Sequence, residues 1–385
     1  MSSKGYTRQS FQYYAYGSGA AGRVEVYRWW QPTDQDWITV AADEATDAEL
    51  SSWGYIDKTL LAYAYKARTT TGKLGYFALD APQSSVVPDD HAVTNGYPHT
   101  MSVLDVNPTL DTHINGGRRY LGVYGHNECN TDGRPNIFVA RTDSLDSAHW
   151  ETGDDVHFRS ATTGTPLGAQ DRKPCRWASA LVDDAHVDLV VNDAWDESIT
   201  GQTSLDGLNG TTYGKPVVLV RESGVKNGNP TLFRDPSDGR VYLYWYRYKD
   251  GMYEIRVKSS DTFADLVDPE HVNPTDVGDL VARSPLRFAA PQVMSYNGTY
   301  YLAVETYEAA GADQPVWRTR VLTAAGPTGP FVEIPGNPVY APGAACVFQH
   351  VVDDTLHAYY CQMTVPGDSS TWTLDHVKGN LLNPT

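Results

Sequence analysis

Positive charge is scarce in this chain of 385 residues: 30 Lys+Arg stand against 47 Asp+Glu, a formal net charge of −17. Such a field repels phosphate backbones and excludes nucleic acid as a main partner. Long apolar runs are missing as well. No stretch reaches the ~18–20 continuous apolar residues of a membrane span. The opening Met-Ser-Ser-Lys-Gly-Tyr has no apolar signal core. There are 4 cysteines, none in C-x-x-C spacing, which argues against a zinc cluster. No H-E-x-x-H, phosphate loop or G-x-S-x-G occurs.

Aromatics and turn formers are plentiful: 25 Tyr, 10 Trp, 33 Gly and 23 Pro, with only 20% charged residues. This balance excludes a long helical protein and indicates an all-β, turn-rich one. Among the cysteines, Cys346 and Cys361 lie equidistant from Asp353-Asp354, where a hairpin is expected to turn. Directly opposed cysteines can close a cross-strand disulfide, which would favour an oxidising compartment. Two buried thiols are the alternative. The spacing of Cys129 and Cys175 leaves their state open.

Two repeats of different period divide the chain. In residues 1–95, Gly5-Tyr6 and Tyr14-Ala15-Tyr16 recur 49 positions later as Gly54-Tyr55 and Tyr63-Ala64-Tyr65. Alternation in these runs predicts short strands and a small β-rich repeat module. Gly17-Ser-Gly19-Ala-Ala-Gly22 fits G-x-G-x-x-G, but a strand pattern comes next where a dinucleotide loop needs a helix. It reads as a turn.

Residues 96–385 carry a longer unit: a proline opens a strand, an Asp/Asn/Gly turn follows, and an aromatic strand returns. The prolines at 108, 174, 230, 291 and 342 lie 51 to 66 residues apart. Each interval holds four short strands, the size of a propeller blade, and five are counted. The expectation is a five-bladed β-propeller preceded by the small module.

In a propeller the start of each blade's first strand and the end of its second meet at one face. Asp105 and Asp171 each stand three residues before a blade proline. Aligning Leu121, Leu189, Leu243 and Leu302 puts Tyr124, Asn192, Tyr246 and Glu305 three residues on, with His126 and Asp193 nearby. One face is therefore expected to gather Asp105, Asp171, Asp193 and Glu305. Asn107, Tyr124, His126, Asn229, Tyr246 and Arg247 are the candidate sugar contacts. Clustered carboxylates suit glycoside hydrolysis, which needs an acid and a base or nucleophile about one bond. A lone Asp before a strand has a plainer reading as a turn or cap. Arg234-Asp235-Pro236 directly precedes Ser237-Asp238-Gly239 and reads as a turn.

The blade grammar resembles the five-bladed glycosidases of the family 43, 62, 32 and 68 type, most clearly in residues 225–335: Asn-Pro-Thr-Leu-Phe-Arg-Asp-Pro-Ser-Asp-Gly-Arg-Val-Tyr-Leu-Tyr, Ala-Ala-Pro291-Gln-Val-Met and Gly329-Pro330-Phe331. That resemblance implies Asp105 as base, Asp171 as the residue tuning the acid, and Glu305 as acid. Two departures point to a distinct family sharing the fold: Asn107-Pro108 stands for the first blade's Asp-Pro, and the acid's Glu-Gly-Pro has no counterpart. The first module, through Val26-Tyr27-Arg28 to Gly54-Tyr55, resembles a short extracellular repeat appended to bacterial enzymes. The resemblances imply a secreted polysaccharide hydrolase that needs no cofactor. Arabinofuranosyl linkages are the leading substrate, and a structural calcium is compatible with the fold. A non-catalytic glycan-binding propeller and a polysaccharide lyase are the alternatives.

Overall fold

A computed structural model describes residues 15–16, 23–31, 36–41, 51, 56–65, 73–74, 77–80, 82–84, 86–87, 98–106, 114–126, 137–146, 149–159, 176–183, 185–193, 197–310, 314–334, 337–340, 343–363 and 372–381. The chain divides into two compact units, Met1–Thr71 and Gly72–Thr385.

The first unit is a four-stranded antiparallel sheet of β1 (Ala15–Tyr16), β2 (Arg23–Gln31), β3 (Asp36–Ala41) and β4 (Ile56–Tyr65), in the order β1-β4-β2-β3. The repeat copies pair with each other where they are described, Ala15 opposite Ala64 and Tyr16 opposite Tyr63. Strand β2 is the strand read after Gly22; Gly17 to Gly22 lie outside the described residues.

The second unit is a five-bladed propeller. Blade one is β7 (Pro98–Asp105), β8 (Tyr120–His126), β9 (Ile137–Thr142) and β10 (Glu151–Asp155). Blade two is β12 (Arg176–Asp183), β13 (His186–Asp193), β14 (Ser198–Thr203) and β16 (Val217–Val220). A small parallel pair, β11 (His157–Phe158) with β15 (Thr212–Tyr213), lies outside the blades. Blade three is β17 (Lys226–Arg234), β18 (Val241–Lys249), β19 (Met252–Ser260) and β20 (Asp279–Ser284). Blade four is β21 (Ala289–Tyr296), β22 (Thr299–Ala310), β23 (Gln314–Ala324) and β24 (Val332–Glu333). Blade five is β25 (Ala344–Val352), β26 (Thr355–Met363) and β27 (Trp372–Leu381), finished by β6 (Phe77–Leu79) and β5 (Lys73–Leu74) from the start of the unit. First strands touch in a closed ring, β7 to β12, β17, β21, β25 and back to β7.

The boundary therefore falls near residue 72 and not at 95. Leu79 pairs with Gly379 and Phe77 with Leu381, so a strand assigned by sequence to the small module closes the last blade. A ring leaves one blade to be completed from the other end of the chain, and that strand carries no copy of the repeat.

Strand alternation builds the core. On β18, Tyr242, Tyr244 and Tyr246 face blade four, and Val241, Leu243 and Trp245 face blade two. Five apolar clusters result, one between each pair of neighbouring blades.

Candidate functional site

Each first strand carries a bulge near its start. The pairing register skips between Arg176 and Ala178, Gly228 and Thr231, Ala289 and Gln292, and Ala345 and Phe348, and β7 skips between His99 and Met101. Trp177, Asn229, Ala290 and Cys346 adopt left-handed backbone there, with φ of 42°, 46°, 44° and 53°. Non-glycine residues in this region cost about 1–2 kcal/mol each, and bulges re-aim side chains. Pro230 and Pro291 come directly after two of these residues because a proline lacks the ladder N–H that a bulge leaves unused.

Facing the bulges are the ends of the second strands. Asn192 pairs with Arg176, Tyr246 with Gly228, Glu305 with Ala289 and Cys361 with Ala345, while Tyr124 pairs with Met101 just past its bulge. The three-residue offset from the aligned leucines thus places Tyr124, Asn192, Tyr246 and Glu305 at one end of the blades. Asp193, 1% exposed, is next to Asn192 there.

Glu305 is buried, 2% exposed, and lies 2.9 Å from the Arg287 guanidinium through Oε1. The Cys346 thiol donates to its Oε2 at 2.9 Å. Burial works against the Arg287 charge, but Glu305 together with Tyr246, Tyr253 and Cys346 outweighs it and the pKa is raised. The Arg287 guanidinium carbon stands 4.4 Å over the Trp317 ring, a cation–π contact, and Trp317 packs on Tyr307 at 4.7 Å. Burial pushes the Tyr246 hydroxyl well up. Glu197 and Glu305 add to that shift and Arg287 opposes it, so both carboxylates act at one phenol. Trp177 meets the Tyr246 ring edge-on at 6.4 Å. Gly228 makes room for this pair, since a Cβ there would come within 2.8 Å of Tyr246 and 2.9 Å of Trp177.

Three expectations need correction. Asp105 is the last residue of β7, opposite Tyr120, at the end away from the bulge. It is ion-paired with Arg119 at 2.8 Å and shares its surroundings with His350 and Asp353. The cause is the first blade's phase: its first strand begins at Pro98, so Asn107-Pro108 comes after that strand and does not open it. Arg247 is not open to a sugar; it holds Glu222 and Glu254, each at 2.8 Å. The hairpin does turn at Asp353-Asp354, but the bulge shifts Cys346, so that Ala345 opposes Cys361, and the two buried cysteines are not joined in a disulfide.

Asn229 is 1% exposed, and its amide bonds to no described residue. Asp235 is the turn residue expected, accepting from the Ser237 amide at 2.9 Å and the Tyr300 hydroxyl at 2.7 Å. Asp171, Asn107, Cys129, Cys175 and the His126 side chain lie outside the described residues. Sequence reasoning missed Arg287, Glu197, Trp177 and Trp317. Only Arg287 left a signal, as a charged residue shortly ahead of Ala290-Pro291.

No protein-family model and no curated protein sequence matches the chain. Solved structures do. The chain is similar to a thermostable family-43 glycoside hydrolase, with a TM-score of 0.52 and 16% identity over 75% of this chain and 94% of that one. It is also similar to an endo-arabinase from Bacteroides thetaiotaomicron, with a TM-score of 0.50 and 12% identity over 74% of this chain and 94% of that one. The fold is that of the five-bladed, family-43-like propellers.

Proposed function

We propose that the propeller is a glycoside hydrolase of polysaccharides, acting outside the cell, with arabinofuranosyl linkages as its leading substrate. The observation that carries the reading is the buried Glu305 carboxylate held by Arg287 at the bulged strand ends, with the Trp317 ring under Arg287 and Trp177 against Tyr246, a phenol whose titration both Glu305 and Glu197 influence. Paired carboxylates supply the proton donor and the base or nucleophile that glycoside cleavage requires. Aromatic faces suit sugar C–H surfaces, and the Asn229 amide suits a hydroxyl. Likeness to the family-43 fold supports the class, and the endo-arabinase neighbour supports trying arabinans first.

The test is reducing-sugar release across a polysaccharide panel that includes arabinans. Glu305→Gln and Glu197→Gln are each expected to lower kcat by about 10²-fold or more with the fold intact. Asp105→Asn, at the other end of its blade, is expected to leave the rate unchanged. Equal loss in the Asp105 variant would overturn the placement. The deep burial of Glu305 favours one second reading, a glycan-binding propeller without hydrolysis. Retained binding with no release from any polysaccharide would establish it.

A further inference from the structure

The hairpin joining β12 to β13 carries a second cluster, away from the bulged strand starts. Asp183 pairs with His186 across the turn, and Asp188 lies two residues beyond His186, so strand alternation puts all three side chains on one face. His186 Nε2 is 3.4 Å from Asp188 Oδ1 and 3.9 Å from Asp183 Oδ2, and one ligand atom from each residue falls within a 4.8 Å span. Ligands about 2.0–2.2 Å from a tetrahedral cation stand about 3.4 Å apart, so small side-chain shifts would close this set on one ion.

A separate observation asks for a cation. Asp188 is 0% exposed, and its Oδ2 accepts no hydrogen bond from any described residue. A buried carboxylate oxygen without a donor is costly, and metal coordination is one of the few arrangements that offset it. The other oxygen, Oδ1, is oriented by the Thr203 hydroxyl at 2.9 Å, the kind of outer hydrogen bond that fixes a ligating carboxylate. Asp183 and His186 are 33% and 35% exposed, which leaves a path for an ion and room for water as a further ligand. Arg234 Nη2, 3.4 Å from Asp183 Oδ2, is the one competing positive charge among the described ion pairs here.

We propose that Asp183, His186 and Asp188 form a binding site for a divalent transition-metal cation of the Zn²⁺ class, which clasps the turn of blade two. The imidazole selects against Ca²⁺ and Mg²⁺, which take oxygen ligands. This site does not depend on the sugar chemistry of the opposite strand ends.

The test uses the full, tag-free chain stripped with EDTA and titrated calorimetrically with ZnCl₂ and, separately, with CaCl₂. One Zn²⁺ per chain is expected, bound at least about 10-fold more weakly by His186→Ala and by Asp188→Asn. Co²⁺ loading should give visible absorption bands that His186→Ala abolishes. His186 is partly exposed, so its variant keeps the fold even if Asp188→Asn does not. Three results would overturn the proposal: no Zn²⁺ uptake by the unaltered chain, uptake unchanged in His186→Ala, or Ca²⁺ held in preference to Zn²⁺.

Discussion

Arg247 is 8% exposed and grips two carboxylates, Glu222 by two bonds of 2.8 Å and Glu254 by one. Without Arg247, Glu222 would keep Lys249 and Glu254 would keep Arg256, but the network would lose its most buried cation. Arg247→Met is therefore expected to lower unfolding free energy by about 2–3 kcal/mol in urea titrations while leaving the proposed hydrolytic rate intact. The reverse outcome, lost rate at unchanged stability, would return Arg247 to the sugar site. Chiefly through the Arg247 hydrogen bonds, the Glu222 carboxyl is lowered to about 2. A lowered acid stabilises the fold above its ordinary value of 4.5 and ceases to as pH falls toward 2. The stability of the unaltered chain should thus fall more steeply over that range than that of Arg247→Met. Sequence could not distinguish Arg247 from a sugar ligand, because its partners sit 25 and 7 residues away and belong to no repeat.

Bulges are the elements that set the site. They are legible in the sequence as Asn229-Pro230 and Ala290-Pro291 but look like strand openings, since a proline signals a missing ladder bond without saying where in the strand it falls. The alignment of second strands succeeds because burial enforces it: Leu121, Leu189, Leu243 and Leu302 are each 0% exposed and fix the phase of the residues after them. The first strand of blade one offers no such anchor, and Asp105 is assigned to the wrong end as a result. Ala290, at φ 44°, has a Cβ in a region glycine tolerates freely. Ala290→Gly should raise stability by up to about 1 kcal/mol by thermal or urea unfolding, whereas Ala290→Val should lower it.

The whole molecule depends on its closure. A fragment of residues 72–385 should fold cooperatively, because β6 is present to cover β27. One of residues 96–385 should show an exposed strand edge and aggregate, which size-exclusion chromatography would reveal. Five blades and their approximate period are visible in the sequence; the closing strand is not, since Phe77–Leu79 is too short to carry a pattern of its own. Near the closure, His357 and His376 stack with Nδ1 and Nε2 3.1 Å apart, and His376 also stacks on Tyr359. Burial lowers them to about 4 and about 3, against the pull of Asp146, with Lys378 adding to the shift of both. Below pH 6.5 the unfolded chain takes up protons that the folded pair refuses, so stability falls as pH drops from 6.5 toward 3. The urea midpoint should fall between about pH 7 and about pH 4, with a flatter slope in His376→Gln.

The strand pairing of Leu79 with Gly379 also sets a clock on biosynthesis. A ribosome delivers β6 about three hundred residues before its partner strand exists. At about 5–20 residues per second, that leaves the segment waiting for roughly 15–60 s. Throughout that interval the nascent chain has four blades to complete and a loose strand to keep from the wrong neighbour. The brevity of β6, three residues long, is a protection during the wait, because so short an edge offers little for another chain to pair with.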